Sequence, residues 1–223
     1  MRQPPTSSSF SLKLKINSII SICFLFFSLP VYAGAYEDIL IAVQNDDNVA
    51  VIDLIHRGMD VNTTDRSGSS LLMTAARNGN QPLVTLLLAN RANPKHQNQY
   101  GDSALALASL KGYFAIADLL LAAGADVNPE GWAPLHYAAF SGHTKLAALL
   151  LSHGAKRDAR APNGQTALML AAKNGKLELV HLLLNARADM NLTDLNGKSA
   201  QRLAEQQRNS DIADYLRKMD ATN

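Results

Sequence analysis

Gly131-Trp132-Ala133-Pro134-Leu135-His136-Tyr137-Ala138-Ala139-Phe140-Ser141-Gly142-His143 is the stretch whose reading decides the fold. Its opening glycine returns as Gly68, Gly101, Gly164 and Gly197, so the successive intervals from Gly68 are 33, 30, 33 and 33 residues. Behind each glycine stands a short start and then a small pair. These are Ser70-Leu71-Leu72-Met73 with Ala75-Ala76, Ser103-Ala104-Leu105-Ala106 with Ala108-Ser109, and Thr166-Ala167-Leu168-Met169 with Ala171-Ala172. The last copy, Ser199-Ala200-Gln201-Arg202, is degenerate. Self-similarity at a fixed period of this length marks an array of repeated supersecondary units and outweighs any residue-by-residue assignment.

The chemistry of the repeated positions says what each unit is. Ser70, Ser103 and Thr166 can cap a first helix through their hydroxyls, and the paired alanines let that helix lie close against its neighbours. Leucine triplets at 86–88, 119–121, 149–151 and 182–184 supply a buried second helix. One such unit cannot bury its own apolar face, so neighbours must stack, and stability becomes a sum of unit and interface terms. The ends of the stack must be polar. Residues 36–62, with helix-like stretches at 37–44 and 49–56, are read as one cap. At the other end Gln201, Arg202, Glu205, Gln206, Gln207 and Arg208 put polar groups where inner copies carry small or apolar ones.

These residues resemble the ankyrin repeat, whose signature runs Gly-x-Thr-Pro-Leu-His-x-Ala-Ala-x-x-Gly-His, then a leucine run and Gly-Ala-Asp-Val-Asn. The stretch from Gly131 to His143 follows the first part, and Gly124-Ala125-Asp126-Val127-Asn128 matches the last. The resemblance covers about residues 35–216. It implies an all-α solenoid of stacked helix-turn-helix units with short β-hairpin fingers. The units are divided as a leader at 1–33, a capping repeat at 34–62, full repeats at 63–95, 96–128, 129–158 and 159–191, and a second cap at 192–223. The repeat at 129–158 has a finger three residues shorter than the others.

In the family, partners are held by finger tips and the exposed face of the first helices. Carried over by phase, this implies partner contacts from Arg66, Arg77, Tyr100, Asp102, Leu110, Lys111, Glu130, Trp132, Phe140, Gln165 and Lys173. Trp132, Tyr100 and Phe140 are expected to form an apolar patch, and binding energy concentrates in such central aromatic anchors. Trp132 is the only tryptophan, and the clipped finger beside it predicts a notch. Arg91 and Arg187 occupy the phase of Gly58, Gly124 and Gly154, where a non-glycine is expected to cost about 1 kcal/mol.

Ahead of the repeats, Arg2, Lys13 and Lys15 precede an apolar run at 16–29 and then Pro30-Val31-Tyr32-Ala33, the order of a secretory leader cleaved after Ala33. The run is shorter than the ~20 residues of a membrane span. Its removal takes three of the 21 basic residues and none of the 19 acidic ones, leaving the domain close to neutral and slightly acidic. No Lys/Arg stripe lies along one helix, so nucleic-acid binding is not expected. Cys23, the single cysteine, leaves with the leader, which fits an oxidising compartment. The expected location is the periplasm or outside the cell, with membrane attachment only if the leader stays uncleaved.

No catalytic pattern competes with this reading. His56, His96, His136, His143, His153 and His181 do not fall at metal-ligand spacing, and His136 and His143 occupy structural positions of the repeat signature. No Gly-x-Ser-x-Gly elbow, phosphate loop or His-Glu-x-x-His occurs. Asp60, Asp126 and Asp189 recur at one phase as turn formers. The sequence therefore predicts a monomeric, non-enzymatic module without cofactor or metal that binds a protein partner as scaffold, inhibitor or immunity protein. A membrane-tethered envelope scaffold is the alternative, and an enzyme accessory protein the third reading.

Overall fold

A hydroxyl opens the first helix of four units. The Ser70, Ser103, Thr166 and Ser199 side chains accept hydrogen bonds from the Met73, Ala106, Met169 and Arg202 backbone N–H groups at 3.2, 3.2, 3.4 and 3.4 Å. Each satisfies one of the donors that a helix start leaves unpaired. The computed structural model describes residues 34–220. Its helices are α1 (34–44), α2 (Asn48–His56), α3 (Leu71–Asn78), α4 (Gln81–Ala89), α5 (Ala104–Lys111) and α6 (Phe114–Ala122). They continue as α7 (Pro134–Ser141), α8 (Thr144–Ser152), α9 (Ala167–Lys173), α10 (Leu177–Asn185), α11 (Ala200–Gln206) and α12 (Ser210–Asp220).

Helices α3, α5, α7, α9 and α11 lie side by side in one layer, and α4, α6, α8, α10 and α12 form a second layer, each paired with the helix before it. The alanine pairs explain the closeness of the first layer: Ala75, Ala76, Ala108, Ala138, Ala139, Ala171 and Ala172 have no exposed surface. In the second layer the middle leucine of each triplet, Leu87, Leu120, Leu150 and Leu183, is fully buried. One apolar core thus runs the length of the stack from Ile39 to Leu216. Ser109 breaks the pattern. It occupies the second alanine position of α5, is fully buried, and its hydroxyl has no hydrogen-bond partner.

The turns after α3 and α5 require glycine for two reasons, although Asp46 and Arg208 hold the left-handed backbone after α1 and α11. Gly112 has φ 77°, and a Cβ there would lie 2.5 Å from the His143 ring of the next unit. Gly79 stands in the same relation to Tyr113. The turn after each second helix is less demanding. Gly124 and Gly154 share the left-handed backbone, yet a Cβ at either would meet nothing within 4 Å. That open space explains why arginine is tolerated at the same phase: Arg91 and Arg187 adopt φ 67° and 63° and carry only the backbone strain.

Two expectations are corrected. Among the described residues the fingers are not β-hairpins: they contain only the isolated bridges Thr64–Ser70 and Gln97–Ser103. Side-chain-stabilised turns replace strand pairing. In the finger of residues 65–69 the Asp65 carboxylate accepts from the Ser67 and Ser69 backbone N–H groups at 2.8 and 2.9 Å. The first unit is also not wholly polar, because Ile41 is 55% and Val49 78% exposed. The opposite end is polar as expected, with Arg217 paired to Glu205 and Asp214 at 2.9 and 2.7 Å. The leader assigned to 1–33 lies outside the described residues, and no helix among those described is long and apolar enough to cross a membrane.

Candidate interaction surface

The regular fingers share one turn. Backbone N–H groups of Asp65, Asn98, Ala161 and Asp194 donate to the carbonyls of Ser69, Asp102, Gln165 and Lys198 at 2.9 to 3.0 Å, and a glycine closes each turn. Burial pushes the Asp65 and Asp194 carboxyls up. Hydrogen bonds outweigh it, from Ser67 and Ser69 to the first and from Lys198, Asn196 and Gln165 to the second, and with Arg77 and Lys198 as nearby charges both are held below the ordinary carboxylate range. The aspartates of the other loop do as the sequence predicts: Asp60, Asp126 and Asp189 accept from the backbone N–H two residues on at 2.8, 2.9 and 2.9 Å.

The clipped unit is built differently. Ala133 has no hydroxyl to cap α7, so Pro134 stands in the first turn, where a missing N–H costs nothing, and His136 reaches back. Its Nδ1 accepts from the Ala133 N–H at 3.0 Å, which leaves Nε2–H to donate to the Ala159 carbonyl at 2.9 Å. Only a neutral imidazole can do both. Burial favours that state and holds the His136 pKa below its ordinary value, against the opposing pull of the Ala159 carbonyl. His143 and the Ser141 hydroxyl both meet the Leu110 carbonyl of the preceding unit, at 3.2 and 2.9 Å. His96 contacts the Gly68 carbonyl at 2.7 Å. These imidazoles join neighbouring turns, and no cluster of His, Cys, Asp or Glu among the described residues could hold a metal ion.

Above this joint lies a cavity of about 170 Å³ lined by Leu110, Trp132, Tyr137 and Phe140. Trp132 packs against its own helix. Its ring centroid is 5.9 Å from both His136, edge to face, and Tyr137, tilted by 39°. The Tyr137 hydroxyl donates to Asp102 at 2.5 Å. Burial and that carboxylate keep the phenol protonated well beyond the usual tyrosine range. Tyr137 is therefore a fixed wall of the cavity, with its one polar atom already satisfied.

The sequence-assigned contact residues divide into three groups. Leu110, Trp132 and the 50% exposed Phe140 are brought together in the cavity wall. Arg66, Arg77, Lys111 and Glu130 are exposed, Lys173 is half-buried, and Tyr100 is 71% exposed without lining the cavity. Asp102 is engaged by Tyr137. Gln165 is a correction: it is only 7% exposed, receives the Asn163 side-chain amide at 3.2 Å and hydrogen-bonds to Asp194, so the finger itself uses its polar groups. The sequence reading missed Tyr137, which occupies the helical phase of Leu107 and Leu170. An aromatic ring at a position given to leucine or threonine in the other copies was the available signal.

Comparison with known proteins agrees with this architecture. The sequence matches the family described as ankyrin repeats (3 copies) over residues 39–130, 82–161 and 135–223. A putative ankyrin repeat protein of Rickettsia bellii (strain RML369-C) is 29% identical over 140 residues, covering 57% of this chain and 39% of that protein. The RelA-associated inhibitor of Mus musculus is 38% identical over 88 residues, covering 38% of this chain and 11% of that protein. The nuclear factor NF-kappa-B p105 subunit of Gallus gallus is 34% identical over 140 residues, covering 56% and 14% respectively. The chain thus spans well under half the length of these relatives. With in-phase glycines, alanine-faced first helices and leucine-filled second helices all in place, this chain belongs to the ankyrin-repeat family, whose repeats mediate protein–protein interaction.

Proposed function

We propose that this chain is a non-catalytic binding module, exported from the cytoplasm, that captures a protein partner by seating an apolar side chain in the cavity beside Trp132. The observation that carries the reading is the cavity of about 170 Å³ between Leu110, Trp132, Tyr137 and Phe140. Its aromatic walls are fixed by the Tyr137–Asp102 and His136–Ala159 hydrogen bonds, so little order has to be gained on binding. A relative named as an inhibitor makes inhibition or immunity the role of choice, because a preformed surface blocks a partner without chemistry of its own. The order of residues at 2–33 supports export.

Capture from an envelope extract, with the wild type and Trp132→Ala side by side, tests the binding reading. Loss of a central aromatic anchor is expected to cost about 2 kcal/mol or more, a roughly thirtyfold weaker Kd for the captured partner. An unchanged Kd would remove Trp132 from the interface. Sequencing the N-terminus of the purified protein separates release from tethering: a start at Gly34 supports release, and an intact Met1 overturns release in favour of a membrane-tethered protein.

A further inference from the structure

We infer that the partner segment is an extended peptide with a bulky apolar side chain at its centre and carboxylates about four residues to either side; this rests on the cavity reading above. Arg77, Leu110, Phe140 and Lys173 stand at one phase of the repeat, each in the last turn of its first helix, α3, α5, α7 and α9. They form a row with two apolar members inside two cations. The exposed Lys111 follows Leu110 directly. Cations at the C-terminal ends of α3, α5 and α9 complement the helix dipoles. Yet α7, the helix that walls the cavity, ends in Phe140 and Ser141 with no cation.

Among the described residues none of Arg77, Lys111 and Lys173 makes an ion pair; the four pairs present involve Arg57, Arg157 and Arg217. Arg77 acts on Asp65 at longer range. The nearby acids do not neutralise the row. Asp102 accepts the Tyr137 hydroxyl, and Glu130 belongs to the clipped finger rather than to the row of helix ends. A surface with an apolar centre and unpaired cations on both sides complements a segment of the opposite charge pattern, and such complementarity sets specificity more than raw affinity.

Spacing fixes the length of the segment. Packed helices lie about 8–10 Å apart, so three steps separate Arg77 from Lys173 by about 24–30 Å. An extended chain rises about 3.3 Å per residue, so roughly eight or nine residues cover that span, with the apolar side chain in the middle.

The single tryptophan reports occupancy directly, since Trp132 walls the cavity. Three blocked nonapeptides of Ser and Gly, each with Phe at the centre and with Glu, Gln or Lys at both ends, are titrated while Trp132 emission is followed. The Glu peptide is expected to bind about tenfold tighter than the Gln peptide, with the Lys peptide weakest and only the Glu peptide losing affinity in salt. Arg77→Glu combined with Lys173→Glu, both outside the core, is expected to invert the order, and circular dichroism checks its fold. Equal affinities for all three peptides that are nonetheless lost in Phe140→Ala overturn the charged flanks and leave the cavity reading standing. No saturable response to any peptide overturns both. Concentration-dependent dimerisation that blocks the peptide response assigns the surface to a second copy and also overturns the inference.

Discussion

Two adjacent repeats meet the same structural needs by different means. The repeat at 96–128 has a full finger closed by Asn98, a hydroxyl cap on Ser103 and an orphaned hydroxyl on Ser109. The repeat at 129–158 has a clipped finger, a proline-led helix without a hydroxyl cap, a histidine that accepts from the N–H of the cap residue Ala133 and a fully buried Ala139 where its neighbour carries Ser109. The difference teaches that an array tolerates a shortened unit when one side chain takes over several tasks. His136 satisfies a helix start, ties the unit to the next loop and supports the Trp132 ring.

Breaking the multitasking residue therefore carries the largest expected effect. His136→Ala leaves the buried Ala133 N–H and the Ala159 carbonyl without partners and opens a void, at a cost of about 3 kcal/mol in denaturant unfolding. Adding Ala133→Ser should return about 1 kcal/mol, because a hydroxyl at this phase caps four other first helices. Loss of no more than 1 kcal/mol in His136→Ala would mean that the clipped unit does not depend on the imidazole.

The neighbouring repeat should respond less, and in both directions. Ser103→Ala is expected to lose about 1 kcal/mol, the worth of a single cap. Ser109→Ala is expected to gain about 1 kcal/mol by removing a buried hydroxyl without a partner, as a rise in Tm would report. A fall in Tm for Ser109→Ala would show that the hydroxyl has a partner in solution.

The smallest effect is a pH dependence whose sign follows from the directions of the shifts. His136 is held below its ordinary value of 6.5, so the unfolded chain takes up the proton first. The stability it contributes is complete above about pH 6.5 and declines as the pH falls below it. Asp65 and Asp194 are held below 3.8, so their contribution persists through this range and is lost only as the pH falls through their lowered values. Urea midpoints measured from pH 7.5 to 3 should thus fall in two stages, with the upper one diminished in His136→Ala. An upper stage of the same size in that variant would assign it to another group.

Much of this was legible before any coordinates. The glycine spacing gave the period, the alanine pairs and leucine triplets gave the two layers, and the missing residues between Asn128 and Gly131 located the odd unit. The recurring aspartates were read as turn formers because a short carboxylate can accept from its own chain two residues on, a purely local act. The site was legible only in part. Phase put Trp132 and Phe140 in one apolar patch, but it put Tyr100 there, which does not line the cavity, and assigned Gln165 to the surface, and nothing local announces that Asn163 and Asp194 claim its side chain.

What the sequence determined by itself is everything periodic: an array of six helix pairs, the phase of the left-handed turns that end the second helices, and which faces must be apolar. These follow from short-range geometry, since helix spacing and backbone sterics act over a few residues and simply repeat. The tertiary structure alone decided which polar side chains stay free and which are used between units. Tyr137 meets Asp102 35 residues away, and His136 meets Ala159 in the next loop. Such contacts depend on how neighbouring units are set against each other, and that placement brings Leu110 of one unit against Trp132, Tyr137 and Phe140 of the next.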